Sequence, residues 1–235
     1  MGNGFIKDIK YLVDCILDVI YSSGEECISC KEYTGNGKLL CRNCTLKIKP
    51  CNDAFDISVK EYKFKCYSAA YYSGLVKELI ARLKYKSDFK AGEALVEYML
   101  STIKRHNLKF DIITYVPLTK KSLRKRGYNQ SKYIAKLIGN DTNTKVIPLL
   151  KKIRDTKDQI GLTAEERWNN LENSYKSINS KEIHGKTILL IDDVVTTGAT
   201  AFYCAKDMVE HGAKEVYIAT AARSNIIMPL NSIIS

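Results

Sequence analysis

The pattern of apolar and polar positions predicts strands and helices in alternation along most of the chain. Apolar, β-branched runs without alternation are typical of strands buried on both faces, and they occur at 110–116, 187–191 and 215–221. An aromatic-rich run at 64–72 predicts a further strand. Apolar residues at helical spacing predict helices at 75–83, 91–106, 128–138 and 201–210.

The first residues have a different pattern, with apolar side chains on one helical face and charges between them. Between Phe5 and Tyr21 this spacing predicts an amphipathic helix rather than a secretory segment, because five charged residues interrupt the run. No apolar stretch approaches the ~20 residues of a membrane span. We therefore expect a cytoplasmic protein, and eight cysteines in a reducing compartment do not indicate a disulfide framework.

Four of the cysteines form two CxxC pairs, Cys27 with Cys30 and Cys41 with Cys44. Four thiolates at this spacing predict a closed, tetrahedral structural zinc site. Two unrelated redox-active pairs are the alternative, although neither pair opens an obvious βαβ unit. The interpretation divides the chain into an N-terminal helix and zinc module at 1–55 and a larger domain at 56–235, with a linker at Pro50–Asp56.

Composition adds one feature, a strong positive charge. The chain has 235 residues, 45% of them hydrophobic, and a formal net charge of +11. Its length allows one α/β domain plus a small module, and its charge favours polyanionic partners such as nucleic acid or a phosphorylated substrate. A generally basic proteome would give the same balance. The densest cations follow the strand at 110–116, where they could hold a diphosphate or a nucleic acid backbone, or form a solvated loop: Lys120, Lys121, Arg124, Lys125 and Arg126.

The stretch 187–200 carries the clearest chemistry. A buried strand is followed by two carboxylates, Asp192 and Asp193, and then by a loop of small and hydroxyl residues that opens into a helix. The first N–H groups of a helix have no internal partner and attract anions, and ionised carboxylates accept hydrogen bonds from hydroxyl groups. Phosphate at one end and vicinal hydroxyls at the other describe a ribose 5-phosphate. An ordinary solvated loop with a helix start is the alternative.

The segment from Leu190 to Thr200 resembles the phosphoribosyl pyrophosphate (PRPP) motif of type I phosphoribosyltransferases. The resemblance implies that Asp192 and Asp193 hold the ribose hydroxyls and that the loop holds the 5-phosphate, through Thr196, Thr197, Gly198, Ala199 and Thr200. It also implies Mg²⁺ as a companion of PRPP.

A long polar segment, Lys151–Tyr175, lies between predicted strands. Such segments are often mobile lids over a site, and disorder is the alternative. Its candidate lid residues are Arg154, Thr156, Gln159 and Arg167.

Nearly the whole chain is similar to the ComF (ComFC) family of competence-associated, phosphoribosyltransferase-like proteins. The resemblance is carried by the CxxC pairs, the PRPP motif and shorter marks: Tyr72-Ser73-Gly74, Leu83-Lys84-Tyr85, Val116-Pro117-Leu118, Arg126-Gly127-Tyr128-Asn129-Gln130, Thr156 with Gln159, and Arg167 with Asn170. Thr119 and Ser122 depart from the family pattern in the presumed diphosphate loop. The resemblance implies an α/β, type I phosphoribosyltransferase fold with a mostly parallel sheet flanked by helices.

The resemblance implies a PRPP-binding protein that acts in natural competence, in DNA uptake and transformation, and handles single-stranded DNA. Other competence-machinery proteins are further expected partners. Whether it is a phosphoribosyltransferase stays open, because no residue constellation identifies an acceptor. The alternatives are a catalytically inactive nucleic-acid-binding protein and a nucleotide-salvage phosphoribosyltransferase.

Overall fold

The computed structural model describes residues 26–35, 37–154, 168 and 171–224. The chain divides into two compact units, Met1–Lys47 and Ile48–Ser235. The predicted helix at Phe5–Tyr21 lies outside the described residues. At the start of the larger unit Cys51 N–H donates to Ala69 O at 3.1 Å, and Tyr71 N–H donates to Lys49 O at 2.9 Å.

The smaller unit is built around the cysteine pairs. A bridge joins Glu26 and Tyr33, and Ile28 N–H donates to Leu39 O at 2.9 Å. A short helix, α1 (Arg42–Leu46), follows, and the side chain of Cys41 accepts from Cys44 N–H at its start. The backbone therefore brings both pairs to one place.

A five-stranded sheet forms the centre of the larger unit, beside a separate two-stranded ribbon. The strand bounds are β1 Phe55–Val59, β2 Tyr62–Tyr71, β3 Ile112–Tyr115, β4 Leu150–Lys152, β5 Tyr175–Ser177, β6 Thr187–Val195 and β7 Glu215–Arg223. The order in the sheet is β1-β2-β7-β6-β3. Within it the β1–β2 pair is antiparallel and the other neighbours run parallel, with Leu190 opposite Ile218 and Ile113 opposite Leu189. The ribbon pairs β4 with β5 in antiparallel fashion.

Helices cover both faces of the sheet. Alternate β6 residues Ile188 and Leu190 join a core cluster with Phe202 of the helix Ala199–Glu210. The helix Phe89–Arg105 packs against β2 and β7, and the helix Gln130–Thr142 packs against β6 and β3. Burial on both faces explains why β6 is a continuous apolar run. The helix bounds are α2 Gly74–Lys86, α3 Phe89–Arg105, α4 Lys120–Arg126, α5 Gln130–Thr142, α6 Ser180–Ile183 and α7 Ala199–Glu210. The predicted α/β class, a mostly parallel sheet flanked by helices, is confirmed.

The expected linker at Pro50–Asp56 is wrong, because Pro50 bridges Ala70 and β1 begins at Phe55. The basic stretch after β3 is a helix, so the solvated loop that the sequence left open as an alternative does not form there. Thr119 Oγ1 accepts from Ser122 N–H at 3.0 Å and caps α4.

Among the described residues, no helix has the length and apolar character that a membrane span requires.

Candidate functional site

A cavity of about 240 Å³ opens at the carboxyl end of β6. Both aspartates of the predicted motif line it together with the loop that follows them, and so do Tyr72 and Lys84 from outside the motif. The carboxyl end of a parallel strand is where α/β folds bind ligands. The structure therefore brings the predicted acidic pair and the predicted phosphate loop to one cavity.

The loop at the start of α7 is shaped to receive an anion. Gly198 is the N-terminal capping residue, has φ +84° and carries no side chain to satisfy the first N–H groups of the helix. A Cβ at Gly198 would lie 3.1 Å from two carbon atoms of Ile57, so β1 packs closely beneath this turn. The first residues of this helix, Ala199–Ala201, line the cavity, so its positive end faces the cavity. Ala199 N–H donates to Thr197 Oγ1 at 3.4 Å.

Asp192 is held by two hydrogen bonds. Its Oδ1 accepts from the Ser131 hydroxyl at 2.9 Å and from Asp193 N–H at 2.9 Å. Burial and the neighbouring Asp193 carboxylate raise the pKa of Asp192 from 3.8 to about 7. Its charge can therefore change near neutral pH, and its ionised form is costly without a donor from a ligand.

Asp193 is paired with a lysine. Its side chain is 5% exposed, and Oδ2 lies 2.6 Å from Lys84 Nζ. Burial acts to lower the pKa of Lys84, but the charges of Asp193 and Asp192 raise it above its ordinary value. The lysine therefore stays charged and compensates part of the negative charge of the pair.

The four cysteines of the CxxC pairs could hold a metal ion. Their Sγ atoms all lie within 4.8 Å of one another, with three of the residues buried and Cys30 exposed. Burial acts to raise the pKa of Cys27, but hydrogen bonds from the backbone N–H groups of Cys30 and Cys41 lower it to about 6. Four crowded sulfur atoms suit tetrahedral Zn²⁺, which binds thiolates at about 2.3 Å.

The basic residues on α4 do not line the cavity at β6. Among them Lys120 lines a second, larger cavity of about 590 Å³, while Lys121, Arg124 and Lys125 are exposed. Arg126 donates to Gln130 Oε1. Of the predicted lid residues Arg154 is exposed, and Thr156, Gln159 and Arg167 lie outside the described residues.

Two residues at the aspartates are missed by the sequence interpretation, Lys84 and Ser131. They come from α2 and α5, far from the motif in sequence, and meet it only in the folded chain. The one signal in the sequence is the Leu83-Lys84-Tyr85 stretch, which marks the family resemblance but indicates no role by itself.

Comparison with known proteins gives relatives named for competence and DNA utilization. The chain is 28% identical over 153 residues to competence protein F of Haemophilus influenzae, an alignment that covers 62% of this chain and 67% of the relative. It is 29% identical over 155 residues to competence protein ComFC of Bacillus subtilis, covering 65% of this chain and 62% of the relative, which is less than two thirds of that protein. It is 26% identical over 208 residues to the DNA utilization protein YhgH of Escherichia coli, covering 84% and 90%. No protein-family model matches the chain.

Solved structures similar to the chain include phosphoribosyltransferases. Adenine phosphoribosyltransferase from Thermoanaerobacter pseudethanolicus aligns with 72% of this chain and 95% of its own, at 14% identity and a TM-score of 0.39. The adenine phosphoribosyltransferase of Giardia lamblia aligns with 78% of this chain and 97% of its own, at 15% identity and a TM-score of 0.40. The resemblance to ComF proteins that the sequence motifs indicate is confirmed by these curated homologues, competence protein F, ComFC and YhgH.

Proposed function

We propose that this protein binds PRPP in the cavity at the end of β6 and acts in natural competence, where it handles single-stranded DNA. One observation supports the ligand above the others: Asp192, Asp193 and the Thr196–Thr200 loop line the same cavity. Names of the relatives refer to competence and to DNA utilization, which supports the proposed process.

In the proposed complex the two ends of the cavity bind different parts of the ligand. The 5-phosphate lies at the open first turn of α7, where N–H groups and threonine hydroxyls donate to it. The vicinal hydroxyls of the ribose donate to Asp192 and Asp193. Ser131 and Lys84 act as positioning residues, because they hold the two carboxylates without belonging to the motif.

Magnesium fits the donor set of this cavity. Carboxylate oxygens are the ligands that Mg²⁺ prefers, and Asp192 and Asp193 would hold it. When bound, Mg²⁺ would neutralise charge on the diphosphate. Lys84 is the one cation among the described lining residues, and its ammonium is already paired with Asp193, so it does not replace Mg²⁺ in that role.

Calorimetric titration with PRPP and Mg²⁺ tests this proposal. We expect heat of binding with the wild type, and an affinity at least about 10-fold weaker in Asp192→Asn, since a charge-assisted hydrogen bond contributes about 1.5–3 kcal/mol. Asp53→Asn is the matched control, because Asp53 is exposed and lies outside the cavity lining. Absence of heat with the wild type, or equal affinity in Asp192→Asn, would contradict the proposal.

Catalysis is a separate question from binding. In a phosphoribosyltransferase reaction PRPP would lose its diphosphate through a cationic transition state. This transition state needs positioning and charge stabilisation rather than a protein nucleophile. Release of pyrophosphate from PRPP, with and without single-stranded DNA, distinguishes an enzyme from a protein that uses the fold as a nucleic-acid-binding scaffold. The larger, lysine-lined cavity favours the scaffold as the second candidate.

A further inference from the structure

The larger cavity lies outside the PRPP-like motif and shares no described lining residue with the cavity at β6. Five elements meet around it: the end of β3, the start of α3, α4, the first half of α5, and β4. Its volume of about 590 Å³ falls within the range of sites that bind a small molecule or one unit of a polymer.

The lining has a consistent charge. Five lysines from three elements converge on it, and no acidic side chain occurs among the described residues that line it: Lys120, Lys132, Lys136, Lys151 and Lys152. Because all of these charges are positive, an anion is the kind of ligand that complements the groove.

Aromatic rings form one wall of the same groove. Phe89 is 44% exposed, and its ring centroid lies 4.8 Å from that of Tyr133 and 5.3 Å from that of Tyr128. Tyr128 and Tyr133 are half-buried. An exposed ring with two half-buried neighbours beside lysines distinguishes this groove from a plain phosphate site, because free phosphate offers nothing for a ring to stack on.

The rings are held in place from behind. Tyr128 donates its hydroxyl to Leu83 O, and Tyr133 donates to Glu93 Oε1 at 3.3 Å. A Cβ at Gly92 would lie 2.8 Å from Tyr133 Cε1, so the glycine makes room for the ring. The wall is therefore preorganised on α3, α5 and the turn before α5, which reduces the entropy cost of binding.

We propose that this groove binds single-stranded nucleic acid, with bases stacked on the Phe89–Tyr128–Tyr133 wall and phosphates paired with the lysines. Proteins that bind single strands combine these two features, a basic groove and aromatic stacking platforms. The inference rests on the proposed handling of single-stranded DNA and assigns it to a surface separate from the PRPP-like motif.

Fluorescence anisotropy with a labelled oligothymidine of about 16 nucleotides, measured across a salt series, tests the groove. Lys132→Gln with Lys136→Gln removes two cations, so the slope of log affinity against log salt becomes shallower by about 1.4, at roughly 0.7 per phosphate contact. Lys104→Gln with Lys109→Gln gives the same net charge from exposed lysines outside the groove and leaves the slope near that of the wild type.

The aromatic wall has a different signature. Phe89→Ala weakens binding by about 5- to 100-fold at every salt concentration and leaves the slope unchanged, because it removes stacking and no charge. Phe89→Trp retains the affinity. Photo-crosslinking of an iodouracil-containing strand, mapped by mass spectrometry, places the contact at the Phe89–Tyr128–Tyr133 wall.

Thermal unfolding checks that each variant is folded. If the wild type binds the strand and both groove variants bind like it, the groove assignment is wrong and DNA handling stands. If thymidine monophosphate displaces the oligonucleotide at equal concentration, the groove is a mononucleotide site and the assignment is also wrong. If the wild type binds no strand, the proposed DNA handling fails, while PRPP binding is judged by its own titration.

Discussion

Asp192 and Asp193 are adjacent in the chain but lie in different electrostatic surroundings. Asp192 accepts hydrogen bonds from a hydroxyl and a backbone N–H, whereas Asp193 faces the ammonium of Lys84 at 2.6 Å. A hydrogen bond from a neutral donor offsets less of the cost of burying a charge than an ion pair does. Asp192 is therefore the carboxylate whose burial lowers the stability of the fold.

Asp192→Asn should stabilise the protein while it weakens ligand binding. The folded-state pKa of Asp192 is raised from 3.8 to about 7, so the folded protein binds a proton more tightly than the unfolded chain does. The contribution of this group to the free energy of unfolding is therefore favourable below pH about 4, falls as pH rises from about 4 to about 7, and stays lost above. We expect a gain of about 1–3 kcal/mol in Asp192→Asn at about pH 8 that shrinks toward about pH 5.

Urea unfolding followed by tryptophan emission measures this gain, because the single tryptophan, Trp168, is buried against Phe202 in the larger unit. Asp193→Asn provides the contrast. It leaves the Lys84 ammonium without its nearest counter-charge and should lower stability by about 3 kcal/mol. Equal effects of the two substitutions would contradict the electrostatic difference between the aspartates.

Gly198→Ala should destabilise the loop before α7 for two reasons, its φ of +84° and the 3.1 Å approach of Ile57. We expect a loss of about 1–3 kcal/mol together with weaker PRPP binding. Gly74→Ala isolates the first reason, because Gly74 has φ +47° and a Cβ added there would meet nothing within 4 Å. Urea unfolding compares the two, and a loss no larger in Gly198→Ala than in Gly74→Ala would show that the contact with Ile57 is unimportant.

At the scale of elements, the sequence predicts those whose hydrophobic pattern is long and unambiguous. β6 and β7 are continuous apolar runs because both faces are covered, and α2 and α3 have clear helical spacing. β1 is missed because it has five residues, alternates weakly and is stabilised by pairing with β2 rather than by its own pattern. Short elements that depend on tertiary pairing leave little trace in a single sequence.

The candidate site follows the same rule. The aspartates and their loop are contiguous in sequence and could be predicted as a phosphate-binding turn. Lys84 and Ser131 could not be assigned, because each is one polar residue on an amphipathic helix and becomes informative only when the helix is packed against β6. The groove of lysines and aromatic rings is missed for the same reason, since five separate elements supply it.

The β4–β5 ribbon offers a test at this scale. Ser177 N–H donates to Asp207 Oδ2 of α7 at 2.5 Å, which ties the ribbon to the helix that begins at the phosphate loop. Asp207→Ala should leave this buried N–H without its partner, lower stability by about 1–3 kcal/mol and speed hydrogen exchange at Ser177. Glu210→Ala, on the same helix and bonded to Tyr62 instead, should leave exchange at Ser177 unchanged. Unaltered exchange in Asp207→Ala would rule out this anchor.

For the molecule as a whole, α5 links the two cavities, because it holds an aspartate of one and lines the other. Ser131 bonds Asp192 at the PRPP-like motif, and the next two residues, Lys132 and Tyr133, line the groove proposed for nucleic acid. The formal charge of +11 is not spread evenly, because five of the lysines lie around one groove. The charge bias that composition reveals becomes a specific surface only after folding.

We propose that a metal ion, more than an apolar core, stabilises the part of the smaller unit that the structure describes. Three of the five buried residues there are cysteines of the cluster, Cys27, Cys41 and Cys44, and a structural zinc site can supply about 10–16 kcal/mol to the folding of such a module. Native mass spectrometry should therefore find one Zn²⁺ per chain. Cys44→Ser should lose it, because three thiolates leave the tetrahedral site open.

Cys51→Ala is the matched control for the zinc site. Cys51 is as buried as Cys44, but it lies outside the four-cysteine cluster and interacts with Arg223 of the larger unit. It should retain the ion in full. A chelator should release Zn²⁺ from both the wild type and Cys51→Ala. The four cluster thiols should then react with a thiol reagent, because loss of the metal frees their sulfur atoms. Loss of zinc in Cys51→Ala would instead make Cys51 a ligand, and retention in Cys44→Ser would disprove the four-thiolate site.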